Sequence, residues 1–197
     1  KTGIKAGLPE NTVQLIENTD RELVNEMVKM NRYIDVLIPR GGKGLKKFII
    51  ENATIPVIET GAGVCHVFVD ESAKIANALS IIRNAKIQRP STCNSIETVL
   101  IHKNIAVKIL PDLTDMLLKD GVELRYSKEA LEIVNNRNDV KLANEEDFGA
   151  EYLEMIMSLK LVNDIDEAIE YINSHSTHHS DSIITEVIDN AEKFLNE

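Results

Sequence analysis

An α/β fold, with a largely parallel sheet covered by helices on both faces, is the fold class that the sequence predicts. Short segments rich in valine and isoleucine alternate with amphipathic stretches of about ten residues, the pattern of repeated strand–helix–strand units. Glycine and proline stand between many of these segments, as is typical of turns. No internal repeat or low-complexity linker interrupts the alternation.

The first predicted elements surround a glycine loop. A capping-box pattern at Thr19 begins an amphipathic helix over residues 19–30. A short apolar strand over residues 33–38 then runs into the glycine-rich loop of residues 39–44, and a helical pattern resumes over residues 45–51. The local order is therefore strand, glycine loop, helix.

The rest of the chain continues the alternation. Ser72 is the expected N-cap of a long helix, and Gly121 is the expected end of another. We place a lobe boundary near residues 69–72, because the glycine loop lies before it and the other motifs lie after it. Further strands are predicted at residues 55–58, 64–69, 99–102, 122–126, 156–162 and 182–185, and helices at 72–87, 113–119, 128–135, 164–173 and 189–196.

The composition bounds what the chain can do. Its 197 residues, 43% of them hydrophobic, are enough for one ordinary domain or two small lobes. The 32 acidic and 22 basic residues give a net charge of -10, which argues against nucleic acid as a partner. The apolar runs fall short of the roughly 20 residues that a membrane helix needs. We therefore expect a soluble, cytoplasmic protein that does not bind membranes.

The glycine loop has two interpretations. A strand that ends in Gly41 and Gly42 before a helix places backbone N–H groups and the positive end of the helix dipole where phosphate oxygens bind, and Arg40 and Lys43 add charge. The loop completes neither a dinucleotide fingerprint nor a Walker loop, so a tight turn without a ligand explains it at least as well. If it binds phosphate, its basic residues suit a 2′-phosphorylated dinucleotide.

The two cysteines lie in different contexts. Cys65 belongs to the strand pattern of residues 64–69, so its thiol is expected to pack in the interior as a small hydrophobe. Cys93 lies in a polar loop beside Arg89, where that cation and a helix N-terminus formed by the following residues would favour the nucleophilic thiolate. A loop cysteine is also often inert, so the loop alone leaves the role of Cys93 open.

Residues 84–98, with the sequence NAKIQRPSTCNSIET, closely resemble the active-site stretch of the gamma-glutamyl phosphate reductase family, a branch of the aldehyde dehydrogenase superfamily. Segments that resemble the same family, in the same order along the chain, are AGLPE at 6–10, YIDVLIPRGG at 33–42, GVCHVFVD at 63–70 and HSDSIIT at 179–185. The resemblance therefore covers essentially the whole chain.

The resemblance implies reduction of L-glutamyl 5-phosphate by NADPH to L-glutamate 5-semialdehyde and phosphate, a step of proline biosynthesis. It implies that Cys93 is the nucleophile, that residues 1–71 are part of an NADP-binding lobe of the Rossmann type, and that residues 72–197 are a catalytic lobe. The expected NADP(H) contacts are Arg40, Gly41, Gly42, Lys43 and Glu151, the last of them on the nicotinamide ribose. The expected substrate contacts are Arg89, Asn94 and His179, with an arginine outside the chain as the alternative to Arg89.

Glu59 and the histidine-rich segment of residues 175–179 are given no catalytic or metal-binding role. Glu59 falls near the general base of hydrolytic aldehyde dehydrogenases, but exchange of phosphate needs no such base, so it is assigned no role. The histidines within residues 175–179 lack neighbouring cysteines and helical pair spacing, so no metal site is predicted.

The family has segments before and after the matched part, so we expect the middle of a larger enzyme that forms homo-oligomers. The alternatives are a related aldehyde or acyl-phosphate dehydrogenase with another substrate, and a non-catalytic assembly module.

Overall fold

The computed structural model describes residues 5–59 and 61–197, except for the side chain of Lys43. The chain divides into two compact units, with the boundary between residues 60 and 61. The first unit contains the glycine loop, and the second contains the sheet and both cysteines.

The first unit contains the helices α1 (Glu22–Met27) and α2 (Lys43–Asn52). In its described residues, the two predicted strands meet at a single parallel bridge between Leu37 and Val57. The N–H of Leu37 donates to the carbonyl of Pro56 across this bridge. A small apolar cluster fills the interior of the unit, formed by Val28, Leu37, Ile49 and Ile55.

A parallel sheet forms the centre of the second unit and has six strands in the part of the chain that the structure describes. The strand order is β4-β3-β5-β2-β1-β6, and all neighbours are parallel. The α/β fold class and the parallel sheet are therefore confirmed. The strands are β1 (Cys65–Val69), β2 (Ile96–His102), β3 (Glu123–Tyr126), β4 (Val140–Leu142), β5 (Ile156–Val162) and β6 (Asp181–Ile184).

Helices cover both faces of this sheet. Alternate residues of a strand point to opposite faces, so Val67 and Val99 pack in one apolar cluster while Phe68 and Leu100 pack in another. The helices are α3 (Ile75–Ile87), α4 (Lys103–Lys119), α5 (Lys128–Ile133), α6 (Ile165–His175) and α7 (Ile188–Asn196), with a 3-10 helix at Glu145–Gly149. Residues of α3, α4 and α5 enter the first cluster, and residues of α6 enter the second. Within the described ranges, no helix is both long and apolar enough to cross a membrane.

Several element boundaries differ from the predicted ones. β1 pairs with β2 and β6, so it belongs to the second unit, and the unit boundary lies before the predicted one at residues 69–72. Ser72 does not cap α3, because its hydroxyl donates to Asp70 Oδ2 at 2.5 Å and the helix begins after Lys74. α4 begins at Lys103, well before the expected residue 113, because the imidazole of His102 accepts from the second N–H of the helix.

Candidate functional site

The candidate site lies at the amino-terminal edge of the sheet in the second unit. Because β5, β2, β1 and β6 are adjacent and parallel, the segments that precede them reach the same edge. Cys93, Glu151 and His179 lie on three of those segments, and Gly63 lies on the fourth. Open α/β sheets usually bind ligands at the opposite, carboxyl edge. The structure thus brings together three of the predicted site residues at an edge that the general rule does not favour.

The loop that carries Cys93 connects α3 to β2 and is held by a local turn. The N–H and the hydroxyl of Thr92 both donate to the carbonyl of Arg89, at 3.1 and 2.7 Å. Cys93, Arg89 and Asn94 are all exposed on this loop. The chain enters β2 at Ile96 directly after the loop, so the predicted helix N-terminus after Cys93 is wrong.

The segment that precedes β1 contacts the segments that precede β2, β5 and β6. The N–H of Gly63 donates to Glu151 Oε1 at 2.6 Å, and the N–H of Val64 donates to Thr177 Oγ1 at 3.0 Å. On its other side Gly63 lies directly against the main chain of Cys93. Gly63 therefore lies between the two groups: its N–H is hydrogen-bonded to the carboxylate of Glu151, and its other side packs against the backbone of Cys93.

Cys65 lies beneath the Cys93 loop, and its predicted interior position is confirmed. Its buried thiol donates to the carbonyl of Cys93 at 3.2 Å and lies 3.9 Å from Nδ1 of His179. Burial raises the pKa of the Cys65 thiol to about 11, and the negative charges of Asp181 and Glu97 add to the rise. Cys65 therefore stays protonated at neutral pH, whereas the nucleophilic form of cysteine is the thiolate.

A buried ion pair connects both ends of the Cys93 loop. Lys86, near the end of α3, and Glu97, at the start of β2, have fully buried side chains. The ammonium of Lys86 donates to Glu97 Oε2 at 2.7 Å and to the carbonyl of Ile96 at 2.9 Å. Glu97 Oε1 accepts from the N–H of Leu153 at 3.1 Å, two residues beyond Glu151. Burial lowers the pKa of Lys86 and raises the pKa of Glu97.

The half-buried carboxylate of Asp181 holds the segment that carries His179. Asp181 Oδ1 accepts from the N–H of His66 and lies 3.0 Å from Nδ1 of that side chain, and Oδ2 accepts from the hydroxyl of Ser176 at 2.6 Å. Burial works to raise the pKa of Asp181, but the hydrogen bonds from His66 and Ser176 outweigh it and hold the pKa below its ordinary value. The hydrogen bond from Ser176 to the Asp181 carboxylate thus joins the two ends of the loop that carries His179.

The glycine loop of the first unit has the backbone form that the sequence predicts. Gly42 is the N-cap of α2, and Gly41 has a positive φ of 152°, which favours glycine. Arg40 is exposed beside it, and the side chain of Lys43 lies outside the described part of the chain. A cavity of about 690 Å³ lies beside the loop, with lining residues that include Arg21, Val24, Asn25, Gly42, Leu45 and Phe48.

Two contacts of the site in the second unit, made by Gly63 and Thr177, and one lining residue of the cavity in the first unit, Arg21, were not predicted from the sequence. Gly63 was recognised only as part of a break between strands, although a glycine directly before a buried strand also signals a close approach of two backbones. Thr177 was seen as part of a histidine-rich surface loop, and Arg21 gave no signal at all. Among residues 5–59 and 61–197, no group of three or more His, Cys, Asp or Glu side chains could hold a metal ion.

The chain is similar over its whole length to proteins of one family. It is 51% identical to a gamma-glutamyl phosphate reductase of Campylobacter curvus, covering 100% of this chain and 50% of that protein. The crystal structure of gamma-glutamyl phosphate reductase from Thermotoga maritima matches with a TM-score of 0.91 and 49% identity, covering 100% of this chain and 47% of that one.

More distant structures share the fold. An acetylating aldehyde dehydrogenase from Geobacillus thermoglucosidasius matches with a TM-score of 0.74 at 22% identity, covering 98% of this chain and 50% of that one. No protein-family model matches the chain. The resemblance stated from the sequence is confirmed, and the chain spans about half the length of the curated relatives it matches.

Proposed function

We propose that the protein reduces L-glutamyl 5-phosphate with NADPH. The proposal is supported by the similarity of the whole chain to about half of a gamma-glutamyl phosphate reductase. The products are L-glutamate 5-semialdehyde and phosphate, in proline biosynthesis. The observation that carries the proposal is the position of Cys93, which is exposed on a loop whose backbone is joined through Gly63 to the carboxylate of Glu151.

Cys93 is the nucleophile of this proposal. Its thiolate attacks the carbonyl carbon of the acyl phosphate, the bond from that carbon to the phosphate oxygen breaks, and phosphate leaves with the bonding electrons. The product of this step is a thioester on Cys93. The backbone N–H of Cys93 is the donor we assign to the oxyanion, and one such donor typically contributes on the order of 3 kcal/mol.

The residues of the chain fit a dinucleotide cofactor. When bound, NADPH supplies the hydride that reduces the thioester. The N-terminus of α2, which follows Gly41 and Gly42, would offer backbone N–H groups to a phosphate of the cofactor, and the exposed Arg40 would add positive charge beside it. Lys43 is assigned to the same role from the sequence alone.

The cavity beside the glycine loop has a volume typical of ligand sites and combines the apolar Leu45 and Phe48 with the cation Arg21 and the carboxylate Glu22. We assign the adenosine part of the cofactor to this cavity. We assign the nicotinamide ribose to Glu151, whose carboxylate is already oriented by the N–H of Gly63.

Recognition of the substrate needs a cation for the glutamyl carboxylate. Arg89 is exposed on the same loop as Cys93, so it is the residue we assign, with Asn94 and His179 as polar contacts on either side. His179 is held at the site by its neighbours, since Nδ1 lies 2.8 Å from the hydroxyl of Ser180. Because the chain has a net charge of -10, such local cations are what offsets its repulsion of an anionic substrate and cofactor.

The test is Cys93→Ala in the full-length protein, assayed as phosphate-dependent oxidation of glutamate semialdehyde with NADP. We expect a loss of at least about 1,000-fold in kcat, as for other nucleophiles that act with their surroundings. The matched control is Cys65→Ala, which removes a buried thiol but not the nucleophile. Retained activity in Cys93→Ala would remove this cysteine from the mechanism, and faster turnover of acetaldehyde than of glutamate semialdehyde would change the substrate.

Location in the cytoplasm and assembly into homo-oligomers belong to the same proposal. Both are supported by the family resemblance, and the oligomer is tested by the mass of the full-length protein in solution.

A further inference from the structure

Gly63 occupies the point where the cysteine loop, the glutamate loop and β1 come together. We propose that Gly63 is a positioning residue, whose missing side chain sets the separation between the Cys93 backbone and the Glu151 carboxylate. The inference rests on the proposed function for the roles of Cys93 and Glu151. The contacts themselves belong to the second unit and are independent of any activity.

The first argument is space. A Cβ atom built on Gly63 would overlap the carbonyl group of Cys93 and would lie 2.9 Å from its Cα. The atoms that would have to move are main-chain atoms, which cannot rotate away as the end of a side chain can. The φ of Gly63 lies outside the left-handed region, so the backbone conformation alone would accept alanine. Close packing against Cys93, and not flexibility, is what requires glycine here.

The second argument is the hydrogen bond on the opposite side. The N–H of Gly63 donates to Glu151 Oε1 at 2.6 Å, a short bond to a charged acceptor. Gly63 is buried and Glu151 is half-buried, so this bond is partly shielded from water. Gly63 thus contacts both groups, so a shift of the Cys93 backbone towards Gly63 would also displace the N–H that binds the Glu151 carboxylate.

The third argument is the continuation of the same segment. Two residues beyond Gly63, the thiol of Cys65 donates to the carbonyl of Cys93 at 3.2 Å. The register of β1 against β2 shifts between Cys65 and His66, so the pairing of the two strands is irregular where this segment enters the sheet. A methyl group on Gly63 would displace the Cys93 carbonyl, so it would also uncover the Cys65 thiol.

In the proposed reaction, Gly63 would affect the distance between the thioester carbon on Cys93 and the hydride donor. In the proposed reaction Cys93 carries the acyl group and Glu151 holds the nicotinamide ribose. Displacement by about 1 Å costs on the order of 100-fold in rate when reacting groups must be aligned. Gly63→Ala therefore changes kcat far more than the KM for glutamyl phosphate, which depends on the exposed contacts of the loop.

The test compares Gly63→Ala with Gly61→Ala in the same chain. Gly61 has nothing within 4 Å of its ideal Cβ position, so it is a matched control two residues away. Each protein is treated with iodoacetamide under native conditions, and mass spectrometry gives the alkylation rates of Cys93 and Cys65. We expect Cys65 to react at least about tenfold faster in Gly63→Ala, because its cover opens locally, and at the wild-type rate in Gly61→Ala.

A further control separates positioning from general loss of stability. Ile109→Val weakens the buried face of α4, remote in sequence from the site, and should leave the ratio of the two alkylation rates unchanged. Equal Cys65 rates in Gly63→Ala and Gly61→Ala would overturn the proposal. Because alkylation needs no catalysis, this result is independent of whether Cys93→Ala abolishes the proposed reaction.

If Gly63→Ala does not fold, the proposal is tested at the hydrogen bond between the Gly63 N–H and Glu151. Glu151→Ala removes the acceptor of the Gly63 N–H, and Glu154→Ala alters an exposed glutamate of the same loop. We expect faster amide exchange at Gly63 and across the Cys93 loop in Glu151→Ala alone. Unchanged exchange in both variants would show that Gly63 does not connect the carboxylate to the cysteine.

Discussion

The buried pair of Lys86 and Glu97 provides the sharpest test of how the site is held. Both side chains are fully buried, and the pair spans the two ends of the Cys93 loop. Removal of the Lys86 ammonium takes away the positive charge beside the Glu97 carboxylate and leaves the hydrogen bond from the N–H of Leu153. Lys86→Met keeps most of the side-chain volume and removes the charge, so it isolates the electrostatic part.

The expected cost follows from burial. Breaking a fully buried pair by removing one partner costs about 3–5 kcal/mol, because the other charge stays in a medium that solvates it poorly. At about 2–4 °C per kcal/mol for a chain of this size, Lys86→Met lowers the Tm by roughly 6–20 °C. The double variant Lys86→Met/Glu97→Met buries no charge and loses an acceptor for the Leu153 N–H, worth about 1–3 kcal/mol. It should therefore be more stable than either single variant.

The assay is thermal unfolding by calorimetry and circular dichroism in one buffer for all four proteins of the cycle. Lys108→Met is the matched control, because Lys108 is an exposed lysine of α4 and its substitution should change the Tm little. A double variant as unstable as the sum of the two single variants would refute the reasoning, since independent residues add and coupled residues do not.

Two further predictions concern polar groups of the second unit, a buried pair of hydroxyls and the half-buried Asp181. Thr114→Val removes the hydroxyl that lies 2.8 Å from the hydroxyl of the fully buried Tyr126. We expect the free energy of unfolding, measured in urea, to fall by about 1–3 kcal/mol, because the Tyr126 hydroxyl loses its partner. Adding Tyr126→Phe removes that unpaired hydroxyl and should recover part of the lost stability. The pKa of Asp181 is held below its ordinary value, so its stabilisation is present above the unfolded-state pKa of about 3.9 and is lost as pH falls through the folded pKa. Ser176→Ala removes one of the hydrogen bonds and should move acid unfolding to higher pH, and an unchanged acid midpoint would contradict this account.

The regular part of the fold was accessible from the sequence because β5, α6 and β6 carry strong local signals. β5 matches its predicted bounds, and α6 begins after Asp164, whose side chain accepts from the N–H of Glu167 as an N-cap should. The start of α4 was not accessible, because His102 is an unusual capping residue. β4 was not predicted, since three residues are too few for a pattern to appear.

The candidate site was accessible only through the family resemblance. The residues that meet at the sheet edge are far apart in the chain, and no local pattern marks Glu151 among the many acidic residues. The helix expected after Cys93 shows the limit of local reasoning, because a polar loop with a cysteine predicts neither the direction nor the type of the next element. The parallel order of the four strands is what assembles the site.

The position of the site at the amino edge has a physical consequence for how it is held. At the carboxyl edge of a parallel sheet, helix N-termini commonly supply the binding groups. Here the segments that enter the strands do so, and their main-chain atoms make several of the decisive contacts, from Gly63, Val64 and Cys93. Side-chain substitution leaves such contacts largely intact unless it adds volume. A methyl group added at Gly63 should therefore disturb the site more than the removal of many side chains around it.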